Sequence, residues 1–240
     1  MLDMTQPTHY DVLGVKKNAS KKEIKKAFRE RAKQLHPDIS GESGADEMRK
    51  LLAAYHTLSD QNRRFEYDRI YSRFAAKYSK HKGFNYRSFL REQTDPESKA
   101  KLIFFELLHL EEEEAISIWL EQGGLDFRMD KYMDREDWMD CSFILAEELN
   151  KRGFAYEAFI ILLQIIRSER RQPYFKHFME DIEIFLREIV RLRLKRAVGD
   201  KLYLECLESL LELGFAPKYE QTIIRSIKSL NKKRKRYDTP

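Results

Sequence analysis

His36, Pro37 and Asp38 place a titratable ring, a rigid imino acid and a carboxylate side by side. The trio suits recognition at an interface. Proline fixes its own φ and so restricts the turn, while the imidazole and the carboxylate can hydrogen-bond across a partner surface. A catalytic histidine needs an acid or nucleophile partner, and only Asp38 is close in sequence. Metal ligation is disfavoured, because no second His or Cys stands nearby at ligand spacing. Just upstream, Lys21, Lys22, Lys25, Lys26, Arg29 and Lys33 concentrate positive charge, and residues 21–34 carry a net +5. The run Lys232-Lys233-Arg234-Lys235-Arg236 carries another +5, so a chain of net +5 sums to −5 everywhere else. An electrostatic partner is therefore to be sought at these two stretches. The chain has no phosphate-cradling glycine loop, metal cluster or nucleophile motif. It is not expected to be an enzyme or to carry a cofactor.

The elements that must hold these residues read as helices. Glycine and proline are sparse in the 240 residues, and Leu, Ile, Glu, Lys and Arg are abundant. Tyr10 and Leu13 share a face of a short first helix, with Gly14 at its end. Ser20 is a good N-cap, and Glu23 completes a capping box. The second helix runs through Leu35 with Ile24, Ala27, Phe28 and Leu35 at helical spacing. It must stop at His36, because proline disfavours helical geometry in the residue before it. A polar loop through Asp38, Ser40, Gly41 and Gly44 leads to a third helix, whose face holds Met48, Leu51, Leu52, Tyr55 and Leu58. Ser59-Asp60 ends that helix and caps a fourth, which begins with Arg63 and Arg64 and carries Tyr67, Ile70, Tyr71, Phe74 and Tyr78. Two long amphipathic helices joined by about ten residues pack as an antiparallel pair.

Tyr10-x-x-Leu13-Gly14-Val15, Ala19-Ser20-x-x-Glu23-Ile24-Lys25-Lys26-Ala27-Phe28-Arg29, His36-Pro37-Asp38, Ala54-Tyr55-x-x-Leu58-Ser59-Asp60 and Arg63-Arg64-x-x-Tyr67-Asp68 together resemble a J domain over residues 8–72. The resemblance implies a co-chaperone that binds the ATP-bound form of a DnaK-type (seventy-kilodalton heat-shock) chaperone and stimulates its ATPase. The catalytic groups then belong to the partner. Carried over by position, the partner-binding residues are Lys25, Lys26 and Arg29 on the basic helix and His36, Pro37 and Asp38 in the loop. Arg49 and Arg63 join them on the later helices. Three positions depart from the pattern. Arg31 stands on the core-facing stripe where an apolar residue is common, and is expected to pack its stem and keep its head wet. Glu30 and Ile39 replace residues that are often basic.

Residues 73–94 read as a helical extension or linker, 95–231 as an α-helical C-terminal domain, and 232–240 as a basic tail. Asp95 and Pro96 start a helix as N-cap and first residue. Glu111–Glu114 enrich the first turn of another, which carries Ile116, Trp119 and Leu120 and stops at Gly123-Gly124. Helices are expected over 135–152, 155–169, 174–196, 200–213 and 217–230. The Gly-Phe-Ala corners at 153–155 and 214–216 suggest stacked α-hairpins of solenoid kind, although their offset of 61 residues exceeds a standard repeat. The expected fold is thus all-α: a J domain, meaning an antiparallel helical hairpin with flanking short helices, then a solenoid-like helical region that binds an unknown client. Cys141 and Cys206 read as buried free thiols of a reducing compartment. No apolar run is long enough to span a membrane, and the protein is expected in the cytoplasm. Nucleic acid is expected, if anywhere, only at the 232–236 run. The rival reading is a helical scaffold or adaptor that uses the J fold for docking and not for ATPase stimulation.

Overall fold

A computed structural model describes residues 7–35, 44–78 and 86–237. Every regular element among them is helical, and none of these helices is long and apolar enough to cross a membrane. The chain divides into two compact units, Met1–Cys141 and Ser142–Pro240.

The first unit begins with α1 (His9–Leu13), α2 (Lys21–Gln34), α3 (Gly44–Ser59) and α4 (Gln61–Tyr78). Both early helices open on reciprocal caps: Thr8 with Asp11 on α1, and Ser20 with Glu23 on α2. Asp60 accepts the Arg63 N–H at 3.0 Å and caps α4. Gly14 ends α1 at φ +69°, in the left-handed region. A Cβ there would lie 3.1 Å from the Arg31 guanidinium. That guanidinium donates to the Val12 carbonyl at 2.6 Å, so the Arg31 head, although exposed, ties α2 to the end of α1. The core joins Tyr10, Leu13, Ile24, Leu51, Leu58 and Tyr67, with Phe28 stacked on Tyr55 at 4.2 Å. Leu52, expected on the buried face of α3, is instead 50% exposed, and Ala54 is fully buried. The buried face of α3 is centred on Leu51, Ala54 and Leu58, at i, i+3 and i+7, and Leu52 stands to one side of it.

Helices α5 (Tyr86–Glu92), α6 (Pro96–Leu108) and α7 (Glu112–Glu121) complete this unit, with the start of α8 (Arg135–Lys151). α6 opens with Asp95 as N-cap and Pro96 in its first turn. It is apolar nearly all round and buries Leu102, Ile103, Phe104, Phe105, Leu107 and Leu108, as a central helix does. α5 packs on it, and Arg87 grips the fully buried Glu106 carboxylate at 2.8 and 2.6 Å. The α6–α7 corner turns at Leu110, whose φ of +64° is unusual for a branched residue. α7 buries Ile116 and Trp119 as expected but leaves Leu120 47% exposed.

In the second unit, α8 continues to α9 (Ala155–Arg171), α10 (Met179–Ile189), α11 (Lys195–Ala197), α12 (Asp200–Leu211) and α13 (Pro217–Tyr237). Gly153 and Gly214 both sit in the left-handed region, at φ +91° and +56°, so each Gly-Phe-Ala corner ends a helix in the usual way. The single helix expected over 174–196 is broken. Phe175 and Phe178 turn inward, and the buried Glu169 carboxylate accepts the backbone N–H groups of Tyr174, Phe175 and Lys176 at 2.8–3.0 Å. A 3₁₀ turn at Lys176–Phe178 precedes α10, which passes through a π-helical segment, Val190–Leu194, into α11. α13 extends past the expected end at 230 to Tyr237, so the backbone of the 232–236 run is helical. Cys141 and Cys206 are buried free thiols.

Candidate functional site

The amphipathic division of α2 governs the site. Ile24 is fully buried, and Phe28, Ala32 and Leu35 pack on the core of the first four helices. The same helical period turns Lys21, Lys22, Lys25, Lys26, Arg29 and Lys33 outward, and all six are exposed. Lys26 lies 3.9 Å from Glu30, with 76% and 63% of the two side chains exposed. Lys25 and Arg29 have no ion-pair partner among the described residues. A row of exposed cations that outnumbers the acids beside it can steer an anionic surface into register. Its contribution is salt-sensitive. His36, Pro37 and Asp38 follow within a few residues of the end of α2 but lie outside the described residues, as does Ile39.

The orientation of α2 is set from α4. The Arg64 guanidinium donates to the Ala19 carbonyl at 2.7 Å and to the Lys17 carbonyl at 2.6 Å, closing the α1–α2 connection. Its Nε donates to the Tyr10 hydroxyl at 3.1 Å. That hydroxyl donates in turn to Asp68, at 2.7 and 2.9 Å from the two carboxylate oxygens. Burial, reinforced by the Asp68 hydrogen bond, pushes the Tyr10 phenol up to about 12, so it stays a neutral donor. Tyr67 accepts the His9 backbone N–H at 3.1 Å, and burial pushes its phenol far above the ordinary range. Hydrogen bonds to charged groups contribute about 1.5–3 kcal/mol each, enough to hold the start of α2 in one place. The Arg64 clamp was not evident as a site from the sequence. Its adjacency to Arg63 in a motif signals a role, but not which carbonyls it caps.

The two cations on the later helices are not in open water. Arg49 is ion-paired to Asp46 at 2.6 Å, Glu113 at 3.1 Å and Glu112 at 3.7 Å. The Asp46 hydrogen bond, aided by the nearby glutamates, raises its already high pKa, while burial opposes this. Its neighbour Lys50, which the sequence did not single out, lies 2.8 Å from Glu111. Arg63 has its guanidinium 3.5 Å from the His56 ring.

Residues 8–68 match the family model described as the DnaJ domain. Over 68 residues the chain is 54% identical to the chaperone protein DnaJ of Staphylococcus saprophyticus. It is 52% identical, over the same length, to those of Staphylococcus epidermidis and Bacillus velezensis. Each match covers 28% of this chain and 18% of the relative. No solved structure matches the chain.

Proposed function

From an N-terminal DnaJ domain at residues 8–68, we propose that this protein is a DnaJ-type co-chaperone that docks on a DnaK-type chaperone and stimulates its ATPase. The observation that carries the proposal is the exposed cationic face of α2, held in place by the Arg64 clamp and leading directly to His36-Pro37-Asp38. Lys25, Lys26 and Arg29 orient and accelerate the encounter with an acidic partner surface. His36, Pro37 and Asp38 deliver the signal, and Arg49 and Arg63 extend the contact along α3 and α4. The chemistry of hydrolysis stays in the partner. The helical C-terminal region, residues 95–231, gives specificity for a client or partner.

The test is single-turnover ATP hydrolysis by a DnaK-type partner with and without the full-length protein. Wild type accelerates hydrolysis, and His36→Gln abolishes the acceleration while leaving the far-ultraviolet circular dichroism unchanged. Lys25→Ala with Lys26→Ala raises the half-maximal concentration by about tenfold at low salt, and the difference shrinks as salt is added. Stimulation that ignores His36→Gln, or its absence with every partner tried, refutes the proposal.

A further inference from the structure

Two cations of α3 face a strip of carboxylates at the start of α7. Arg49 is held by Asp46, Glu112 and Glu113, and Lys50 by Glu111 at 2.8 Å and Asp46 at 3.7 Å. Asp46 belongs to α3 itself, but the three glutamates come from more than sixty positions further along the chain. Their approach is enforced elsewhere. Arg69 and Arg73 of α4 pair with Asp140 and Asp137 of α8, whose carboxylates are 0% and 1% exposed. Tyr71 of α4 meets the buried His109 ring edge-on at 6.4 Å.

These two sets of contacts differ in kind. The carboxylates on the α4–α8 side are buried, so breaking one pair strands a charge away from water. On the α3–α7 side Glu113 is 72% exposed, Asp46 60% and Arg49 39%, Lys50 and Glu111 are partly exposed at 21% and 28%, and only Glu112 is buried. The Arg49–Glu113 pair is therefore weak and screened by salt, and the Lys50–Glu111 pair keeps water at both ends, unlike a pair made to a buried aspartate. The firm contact therefore keeps the glutamates at high effective concentration beside α3, while the contact they make there is readily exchanged.

We propose that the acidic start of α7 is a built-in competitor for the partner's acidic surface, occupying Arg49 and Lys50 in the free protein and yielding them on docking. This inference rests on the docking of the DnaJ domain proposed for this protein. It makes the helix beyond the DnaJ domain a brake on partner affinity, set by charge and released by the partner's own charge.

The test uses the full-length protein and the isosteric double variant Glu111→Gln/Glu113→Gln. Glu112 is left in place because it is almost buried. Half-maximal stimulation of a DnaK-type ATPase is expected at a concentration about threefold lower than for wild type, with the maximal rate unchanged. Adding Arg49→Ala/Lys50→Ala must cost the Gln variant more affinity than it costs wild type, because in wild type those cations are already engaged. An unchanged half-maximal concentration, or equal costs in the two backgrounds, overturns the competitor. If neither wild type nor the Gln variant stimulates in a His36-dependent way, the docking reading itself has failed, and the competitor falls with it.

Discussion

His109 lies between the DnaJ domain and the later helices of the first unit. The ring stacks on Phe105 at 4.0 Å and is 4% exposed. Its Nδ1 is 2.7 Å from the Phe105 carbonyl, so that nitrogen carries the proton and donates. Burial lowers its pKa, and Arg87 acts in the same direction. The Phe105 carbonyl and Glu111 oppose them. A depressed histidine adds stability that is present above its unfolded pKa and is lost as pH falls, because the unfolded chain takes up the proton first. Going from about pH 7.5 to about pH 5.5 should therefore cost wild type about 1 kcal/mol more than it costs His109→Gln. Urea denaturation at the two pH values measures this, and equal losses in the two proteins would show that the ring is not held neutral.

Between elements, the decisive contact is α4 against α8. Arg69 reaches Asp140 at 2.9 Å and Glu66 at 2.7 Å, and Arg73 reaches Asp137 at 2.8 Å as well as Asp140. Both arginine side chains are 26% exposed, so water screens them in part, but the aspartates have no such relief. Buried pairs of this kind are not necessarily worth more than apolar packing, yet removing one partner is costly. Asp140→Ala should destabilise the first unit by about 3 kcal/mol, read from denaturant unfolding. A loss under about 0.5 kcal/mol, the size expected of a solvated surface pair, would mean that the two helices are held by packing alone.

At the scale of the whole molecule, the DnaJ domain is part of a larger compact unit that extends to Cys141. Its α4 supplies arginines whose partners lie on α8, and its α3 supplies cations whose partners lie on α7. A fragment of residues 1–152, which keeps α8 whole, should fold with a single cooperative melt. A fragment of residues 1–80 leaves Arg69, Arg73 and Tyr71 without their distant partners, and should melt about 10 °C or more below it. Calorimetry of the two fragments tests this. Equal melting temperatures would make the DnaJ domain an independent module merely tethered to the later helices.

Local rules were enough for much of this protein. Ser20 with Glu23, Gly14, Asp95 with Pro96 and the two Gly-Phe-Ala corners act within a turn of their own position, so the start or end of each helix was legible from the residues alone. The outward cations of α2 were legible too, because Ile24 and Phe28 define the buried face by spacing. Other features depend on how the folded chain packs, which spacing alone does not show. Leu52 shares helical spacing with Met48 and Tyr55, but the buried face of α3 is centred on Leu51, Ala54 and Leu58. No glycine marks the corner at Leu110, and the helix expected from 174 starts late because Glu169 accepts the backbone N–H groups of residues 174–176 and two phenylalanines turn inward. Above all, the resemblance offered Arg49 only as a partner-binding residue. Only the fold brings Glu112 and Glu113 to it, because the pairing energy of a charge depends on which distant charges the packed chain places within a few ångströms and on how much water remains between them.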